Sequence, residues 1–476
     1  PAAEVDDLPG PRALPIVGNM LQFASFGGMH AALESWTEQY GPIFRARFGP
    51  ATLPCVADAS LIQEILRSRP DTFARGQRLT DIINDGSAVG LFTAEGEVWQ
   101  RQRRLVMRAL TPEQVRRSFP IIRTVAERLH AKWLDDARAG TVVDLGTDFR
   151  RFAVDVATWM SMGQDIDTLR HPDHPLQSDV DLWFRLIGRR LATPVKYWKL
   201  VRLPVDRRGD AAIARIERLV DELIAQGRER LEREPALRER PENVLQALIA
   251  ARDEPSSGFT DTDVRGNVLT FLFAGEDTAA SVMSWLVHLL ATTPHALAAA
   301  TAEADRLLGG RAAVEAFDDV GRFDYLEAAA HESMRLKPIA PVMGVTTLRE
   351  VEIAGLRVPP GQTMMLALRQ ASRRSPAFAG HEAFEPERWL AAAAPGVDDP
   401  KRSVFPFGAG PRLCPGRYLA MVMITTAVSM AIRGFDMAFE PGCGRERLSF
   451  TMSPERLQAR LTPRQVGDRA GRAVPS

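Results

Sequence analysis

The residue of greatest chemical interest is Cys414, near the end of the sequence Phe-Pro-Phe-Gly-Ala-Gly-Pro-Arg-Leu-Cys-Pro-Gly-Arg at positions 405–417. The glycines and prolines around it predict a tight loop rather than a helix or a strand. Backbone N–H groups of such a loop can point at one sulfur atom, and with the charge of Arg412 they would stabilise a thiolate. A thiolate is the axial ligand with which haem iron cleaves an O–O bond. A buried structural cysteine is the alternative, but it requires neither Phe407 nor an arginine at a fixed offset.

A second group of polar residues, Ala-Gly-Glu-Asp-Thr at 274–278, lies within the longest apolar helical pattern of the chain, residues 260–290. Two carboxylates and a hydroxyl are unfavourable in a buried helix unless they are hydrogen-bonded or functional. Gly275 is also unfavourable inside a helix, and a kink or widened turn there would let the Thr278 hydroxyl face a ligand. Alternatively, Thr278 bonds to the carbonyl four residues earlier and the two carboxylates are solvated.

Two further spacings place side chains on a shared helix face. Glu332 and Arg335 stand at i and i+3, and Trp99 and Arg103 stand at i and i+4. Both patterns are also common on solvated helices, where an ion pair contributes little, so neither is specific by itself.

Together these sequences resemble the cytochrome P450 family. The cysteine loop of that family has the pattern Phe-x-x-Gly-x-Arg-x-Cys-x-Gly, which is matched at every fixed position by Phe407, Gly410, Arg412, Cys414 and Gly416. The resemblance implies a haem-thiolate monooxygenase with haem b (iron protoporphyrin IX) and Cys414 as the iron ligand. It would insert one atom of O2 into an apolar organic substrate of fatty acid, terpenoid, steroid or polyketide type.

The resemblance implies roles for the other motifs. Asp277 and Thr278 occupy the acid and alcohol positions of a proton relay, and Glu276, in the variable position, is the next candidate. A structural ionic triad that fixes the cysteine loop is expected from Glu332, Arg335 and Arg388.

The resemblance also implies how the haem is held. Its propionates would contact the planar or cationic donors of Trp99, Arg103 and Arg412. Many members carry a further basic contact where this chain has Val345, so no third basic partner is expected. The other residues expected beside the cofactor are Ala274, Gly275, Phe407, Gly408 and Gly416.

A substrate pocket of apolar side chains is expected next to the haem. Phe92 resembles the pocket aromatic of fatty-acid hydroxylating members, although packing on the core explains it equally well. The remaining candidates are Leu91, Phe273, Ala340, Val342, Met343 and Phe450. Because all of them are apolar, they predict a hydrophobic small-molecule substrate. Arg78 could meet a substrate carboxylate, but a solvated arginine is the expected role.

The elements that position these residues are predicted to be mainly helical. Apolar periodicity indicates helices near residues 29–40, 97–110, 115–139, 149–162, 180–190, 210–233, 260–290, 323–336 and 417–433. Strands are expected in two β-rich parts, about 43–58 and 350–368, and in a closing hairpin of 448–452 with 457–461, while 76–96 is expected to be a long loop. The predicted fold class is mainly α with a small β portion (α+β), as one domain over 1–476 with a long central helix over the haem.

Composition excludes several classes of function. Sixty basic and 60 acidic residues leave no net charge, which gives no reason to expect nucleic acid as a partner. Three cysteines provide no disulfide framework and favour a reducing, cytoplasmic setting. No run reaches the roughly 18 to 20 apolar residues of a membrane span, and the polar, proline-rich start is not typical of a signal peptide. The abundance of arginine and alanine suggests a bacterial genome, and a monomer is expected.

Electrons are expected from a separate ferredoxin- or flavodoxin-type donor with its NAD(P)H reductase, since no flavin or iron–sulfur domain follows residue 476. A basic helix with Arg101, Arg104 and Arg108 is a candidate docking face for an acidic partner, although solvation explains these arginines equally well. One alternative is a peroxide-dependent peroxygenase or isomerase, which the acid–alcohol pair at 277–278 disfavours. The other is a haem gas sensor, in which the relay helix would be idle.

Overall fold

The computed structural model describes residues 3–86, 89–193, 195–378, 380–390 and 400–464. Its helices are α1 (Met20–Ser25), α2 (Met29–Tyr40), α3 (Ala59–Arg67), α4 (Gln77–Asn84), α5 (Gly96–Ala109), α6 (Pro112–Ala139), α7 (Leu145–Met162), α8 (Pro175–Leu191), α9 (Pro204–Arg233), α10 (Val244–Asp253), α11 (Asp261–Thr292), α12 (Pro294–Leu308), α13 (Phe317–Val320), α14 (Asp324–Leu336), α15 (Leu368–Arg374) and α16 (Arg417–Gly434). The predicted class, mainly α with a small β portion, is confirmed.

The strands form small sheets at the margins of the helical body. They are β1 (Ala3–Glu4), β2 (Ile43–Phe48), β3 (Ala51–Val56), β4 (Phe73–Arg75), β5 (Val142–Asp144), β6 (Met343–Thr347), β7 (Val351–Ile353), β8 (Leu356–Val358), β9 (Thr363–Leu366), β10 (Phe435–Phe439), β11 (Glu446–Leu448), β12 (Met452–Pro454) and β13 (Gln458–Pro463). The largest sheet has the order β2-β3-β9-β6-β4, and the others are β1-β8-β7, β10-β13-β5 and β11-β12.

The long helix α11 lies at the centre of the core. It begins with a reciprocal cap, in which the Asp263 N–H donates to Thr260 Oγ1 (3.2 Å) and the Thr260 N–H donates to Asp263 Oδ2 (2.8 Å). The helix continues without interruption to Thr292, so the widened turn predicted at Gly275 is not formed. Packing explains this glycine instead, because an added Cβ would lie 3.3 Å from the Cβ of Ala157 on α7.

Other expectations about the elements were wrong. The segment 76–96 is not one long loop, because it contains α4. The predicted closing hairpin is also wrong, since β12 pairs with β11 whereas β13 pairs with β10 and β5. Among the described residues after α16, four strands lie between residues 435 and 463, where no β-rich part was predicted beyond that hairpin. Alternation alone does not specify which strands pair, and these partners are distant in sequence.

No single helix among the described residues has both the length and the hydrophobicity to cross a membrane. Within the described part of the chain, α11 and α12 are long and hydrophobic enough only when they are taken together, and the chain bends by 112° between them. Both helices contribute side chains to the same buried core.

Candidate active site

The loop that carries Cys414 is a compact turn between a 3-10 segment, Gly410–Arg412, and the start of α16. The Cys414 N–H donates to the Phe407 carbonyl oxygen at 2.9 Å, which closes the loop on itself. Gly408 and Gly410 have φ of 76° and 67°, a conformation that favours glycine. A Cβ on Gly410 would also lie 2.6 Å from the Cα of Arg67, so α3 packs directly against this loop.

The protein groups around Cys414 do not by themselves favour the thiolate. Burial raises the pKa of the Cys414 thiol, while the N–H groups of Gly416 and Arg417 and the charges of Arg103 and Arg417 act in the opposite direction. The prediction that Arg412 provides this charge is not supported, because its guanidinium donates to the Ala94 carbonyl (2.7 Å) and pairs with Glu95. A metal cation bound to the sulfur would act in the same direction as these N–H groups and charges and favour the thiolate.

Three arginines lie around one carboxylate at the wall of a large cavity that Cys414 also lines. Arg69, Arg75 and Arg412 line this wall. The Glu95 carboxylate is 4.0 Å from the Arg69 guanidinium, pairs with Arg412 and accepts a hydrogen bond from the main-chain N–H of Arg75. Arg69 Nε and Nη2 and Arg412 Nε are buried without hydrogen-bond partners in the described part of the chain. Burial, followed by the charges of Arg69 and Arg412, lowers the pKa of Arg75 to about 9. Buried cations in excess of anions require a partner, so this cluster fits a ligand that carries carboxylates.

The predicted propionate contacts lie in this cluster. Trp99 and Arg103, one turn apart on α5, both line the cavity, and the Arg412 guanidinium stacks 4.4 Å from the Trp99 ring centroid. Sequence analysis missed Arg69 and Arg75, and it expected no third basic partner because position 345 is valine. The signal for Arg75 lay in the strand pairing, since β4 places Arg75 directly opposite Val345 of β6.

The relay residues of α11 do not all face the cavity. Ala274, Gly275 and Thr278 line it, whereas Glu276 and Asp277 are not among the described residues of its wall. The Thr278 hydroxyl donates to the Ala274 carbonyl at 2.6 Å, which is the back-bonded geometry weighed as the alternative. The two carboxylates, however, are not both solvated as that alternative supposed, because Glu276 is completely buried and Asp277 is half-buried.

Each of the two carboxylates has one side-chain hydrogen-bond donor. Glu276 is completely buried and accepts a hydrogen bond from Gln177 (3.1 Å) at Oε1, while Oε2 has no partner among the described residues. Asp277 accepts a hydrogen bond from the Thr451 hydroxyl at 2.5 Å. Burial raises the pKa of both carboxyls above the usual range. The charge of Asp277 raises the pKa of Glu276 further. The pair can therefore hold a proton at a higher pH than ordinary carboxyls.

All seven predicted pocket residues line one cavity of about 1260 Å³ together with Cys414 and Thr278. They are Leu91, Phe92, Phe273, Ala340, Val342, Met343 and Phe450. The loop before Phe92 lies directly on α11, because a Cβ on Gly266 would be 1.9 Å from the Val89 carbonyl oxygen. Trp183 and Phe184 of α8 also line the cavity and were missed by sequence analysis.

Aromatic rings form one wall of this cavity. The Phe450 ring is stacked on Phe184 with 5.5 Å between centroids and lies edge-on to Phe92 at 6.4 Å. Arg78 also lines the cavity, but it is not simply solvated as expected, because Nη2 donates to the carbonyl oxygens of Arg190 (2.7 Å) and Thr193.

The predicted ionic triad is formed. Arg335 binds both carboxylate oxygens of Glu332 at 2.8 Å, and Arg388 Nε donates to Glu332 Oε1 at 3.0 Å. Trp389 Nε1 is a further donor to the same carboxylate, at 2.8 Å. Met334, beside this cluster on α14, lines the cavity. The triad thus joins α14 to the segment that contains Arg388.

Comparison with known proteins identifies the family. The sequence profile described as Cytochrome P450 matches residues 8–459, nearly the whole chain. This chain belongs to the cytochrome P450 family. Its enzyme class is therefore cytochrome P450 monooxygenase, as expected from the cysteine loop, rather than a haem sensor.

Several P450 relatives cover almost the same length. The chain is similar to carotene epsilon-monooxygenase of Arabidopsis thaliana (28% identity over 87% of this chain and 78% of the relative). It is also similar to pentalenene oxygenase of Streptomyces avermitilis (27% identity, 96% and 97%) and to cyclooctatin synthase of Streptomyces melanosporofaciens (27% identity, 94% and 94%).

The residues of this P450 fit a haem. Cys414 lines the cavity, and the arginine cluster at Glu95 has buried guanidinium nitrogens without hydrogen-bond partners among the described residues. Haem, when bound, supplies both the iron and the carboxylates, and its iron is the centre at which O2 is reduced and its O–O bond is split. Cys414 would hold the metal, and Trp99, Arg103 and Arg412 would bind the carboxylates with Arg69 and Arg75.

Proposed function

We propose that this P450, with haem b as its cofactor, hydroxylates an isoprenoid hydrocarbon or an apolar molecule of similar size. The observation that carries the proposal is the cavity of about 1260 Å³, which exceeds the roughly 300–1,000 Å³ of ordinary small-molecule sites. Such a volume leaves room for a substrate beside the cofactor. The aromatic wall of Phe92, Phe184 and Phe450 offers rings rather than hydrogen-bond donors to that substrate.

The names of the relatives support the isoprenoid class. Two of the three are named for pentalenene and cyclooctatin, and the third for carotene. A fatty acid would bring a carboxylate, and the one arginine considered for it, Arg78, already donates to two backbone carbonyls. A hydrocarbon without an anionic group therefore suits this cavity better than a fatty acid does.

A ligand screen of the haem-loaded enzyme tests this proposal. Isoprenoid hydrocarbons and linear fatty acids of matched carbon number are titrated while the shift of the haem absorption band is followed. Isoprenoids should bind more tightly, and turnover with electron-transfer proteins should give a product heavier by one oxygen atom. Preferential binding of the fatty acids would overturn the substrate assignment.

Glu276, Asp277 and Thr278 are proposed as the proton supply of the reaction. The overall reaction consumes one O2, two electrons and two protons for each hydroxyl group and water molecule formed. The Thr278 side chain lies at the cavity wall, and the carboxyls of the buried Glu276 and the half-buried Asp277 have a raised pKa. A hydroxyl in that position can hold an ordered water, and the carboxyls behind it can exchange protons with that water.

A separate ferredoxin- or flavodoxin-type donor is proposed to supply the electrons. Arg104 and Arg108 are exposed on α5, while Trp99 on the same helix lines the cavity. A basic surface on a helix that also lines the cavity favours an acidic partner. Reduction of the haem by such a donor should slow as salt is raised, and the double variant Arg104→Ala/Arg108→Ala should lose most of that salt dependence. A salt-independent rate in the unmodified enzyme would contradict this docking face.

A further inference from the structure

A hairpin at the far end of the chain reaches the relay helix. Strands β11 and β12 pair antiparallel, with Leu448 opposite Met452, and the turn between them carries Phe450 and Thr451 at the cavity wall. The Thr451 hydroxyl donates to Asp277 Oδ2 at 2.5 Å. Within the described residues, no other side chain donates a hydrogen bond to this carboxylate.

The residue that follows Thr451 has a hydrogen-bonded backbone. The Met452 N–H donates to the Ile339 carbonyl at 2.8 Å, and Trp285 Nε1 on α11 donates to the Met452 carbonyl at 3.1 Å. Because both groups of the next residue are hydrogen-bonded, the position of the Thr451 hydroxyl is set by the main chain. Thr451 itself is only 5% exposed.

Ion pairs fix the base of the hairpin. Glu446 on β11 contacts Arg369 (2.8 Å), Lys337 (2.5 Å) and His30 (3.2 Å). Burial of Glu446 acts against ionisation, yet the hydrogen bonds from these three residues hold its pKa well below the usual range. The hairpin is therefore anchored at pH values where P450 enzymes work.

We propose that Thr451 is the positioning residue for the Asp277 carboxylate, so that the β11–β12 hairpin, and not α11 alone, sets where the acid of the relay lies. This inference rests on the relay proposed above. The neighbouring side chains of α11 have different hydrogen-bond partners. Thr278 donates to a carbonyl of its own helix, whereas Asp277 accepts a hydrogen bond from the hairpin. Without Thr451, the Asp277 carboxylate would lack a fixed direction relative to the Thr278 hydroxyl.

The charges that face Asp277 come from three helices. Glu276 precedes it on α11, Asp181 lies on α8 and Arg150 lies on α7. Burial and Asp181 raise the pKa of Asp277, whereas the Thr451 hydrogen bond and Arg150 lower it. A hydroxyl donor stabilises the ionised carboxylate, so loss of Thr451 should raise the pKa of Asp277. As the pH is lowered, a rate that needs ionised Asp277 should then begin to fall at a higher pH than in the unmodified enzyme.

The first test needs no substrate. The infrared band of the protonated Asp277 carboxyl is followed against pH in the haem-loaded enzyme and is assigned by its absence in Asp277→Asn. Thr451→Val should shift this titration upward, and Thr451→Ser should restore it, because serine keeps the hydroxyl. Ser453→Ala removes a neighbouring hydroxyl of the same hairpin and should leave the titration unchanged. An unchanged titration in Thr451→Val, or no rescue by serine, would overturn the inference.

The second test measures how fast protons reach the site. With an isoprenoid that the ligand screen identifies, Thr451→Val should slow turnover by roughly tenfold, the order of a hydrogen bond to an ionised group. The solvent isotope effect on turnover should become larger, as it should in Asp277→Asn. If Asp277→Asn itself keeps the normal rate and isotope effect, the relay is wrong. If Asp277→Asn slows turnover while Thr451→Val does not, only the role of Thr451 is wrong.

Discussion

Arg75 and Val345 are register partners in the antiparallel pair β4–β6, so their side chains leave the sheet on the same face. The guanidinium of Arg75 lines the cavity and lies 3.7 Å from the Phe92 ring centroid, while its Nε donates to the Phe92 carbonyl at 2.9 Å. The guanidinium thus stands on β4, directly opposite the position of β6 where the resemblance led us to look for a basic residue, and it contacts Phe92 at the cavity wall.

A guanidinium on β6 in place of the one on β4 should also retain the haem. Arg75→Val should accelerate haem transfer to an apo-globin by roughly tenfold, because a hydrogen bond to an ionised group is lost. Adding Val345→Arg places a guanidinium on the same face and should restore most of the retention. Failure of Arg75→Val to change haem retention, in a variant with normal melting temperature, would contradict the propionate role.

Cys414 should be the residue that gives the reduced carbon monoxide complex its red-shifted absorption band. Cys414→Ser should abolish this band while helical content is largely kept, because an alcohol does not replace a thiolate ligand. Cys55→Ser and Cys443→Ser are the matched controls and should keep the band. Burial raises the pKa of Cys55, which therefore remains a thiol. Persistence of the band in Cys414→Ser would refute the assignment.

Thr278→Ala should separate electron consumption from product formation. Substrate binding and haem reduction should stay nearly normal, while hydrogen peroxide replaces product, because the hydroxyl at the cavity wall no longer holds a water. Asp277→Asn should instead slow turnover as a whole and enlarge the solvent isotope effect. Coupling at the level of the unmodified enzyme in Thr278→Ala would mean that protons arrive through another group, with Glu276 as the next candidate.

Phe92→Ala should change which carbon of the substrate is oxidised more than it changes stability. The Phe92 ring lies edge-on to Phe450 in the same cavity wall, and its loss widens the cavity there. Product analysis and a melting curve on the same preparation distinguish the two roles. An unchanged product pattern with a large loss of melting temperature would favour a packing role.

Glu332→Ala should destabilise the fold by roughly 3–5 kcal/mol, because it leaves Arg335 buried and Arg388 largely buried without their shared carboxylate. Glu385→Ala is the control, since its carboxylate is 50% exposed and pairs only with the outer end of Arg388. That variant should lose no more than about 1 kcal/mol. Denaturant unfolding of both variants measures the difference, and equal losses would contradict the structural role of the triad.

The sequence by itself determined the local chemistry of this protein. The cysteine loop, the Trp99–Arg103 pair and the acid–alcohol pair are each short motifs. The residues of one motif lie within a few positions of each other, so their types and spacing can be read directly from the sequence. The apolar pattern likewise located α11. The candidate pocket residues could also be named, since the family resemblance indicates which apolar residues lie beside those motifs.

Tertiary structure alone decided which distant residues complete the site. Thr451 and Asp277 are 174 residues apart in sequence, and Arg75 reaches the cavity because β4 pairs with β6. Gly275 is explained by Ala157 on another helix. Such contacts depend on how helices pack and which strands pair, and neither follows from local periodicity. The same reason accounts for the misassigned hairpin, because a strand pattern records which face is apolar and not which strand lies beside it.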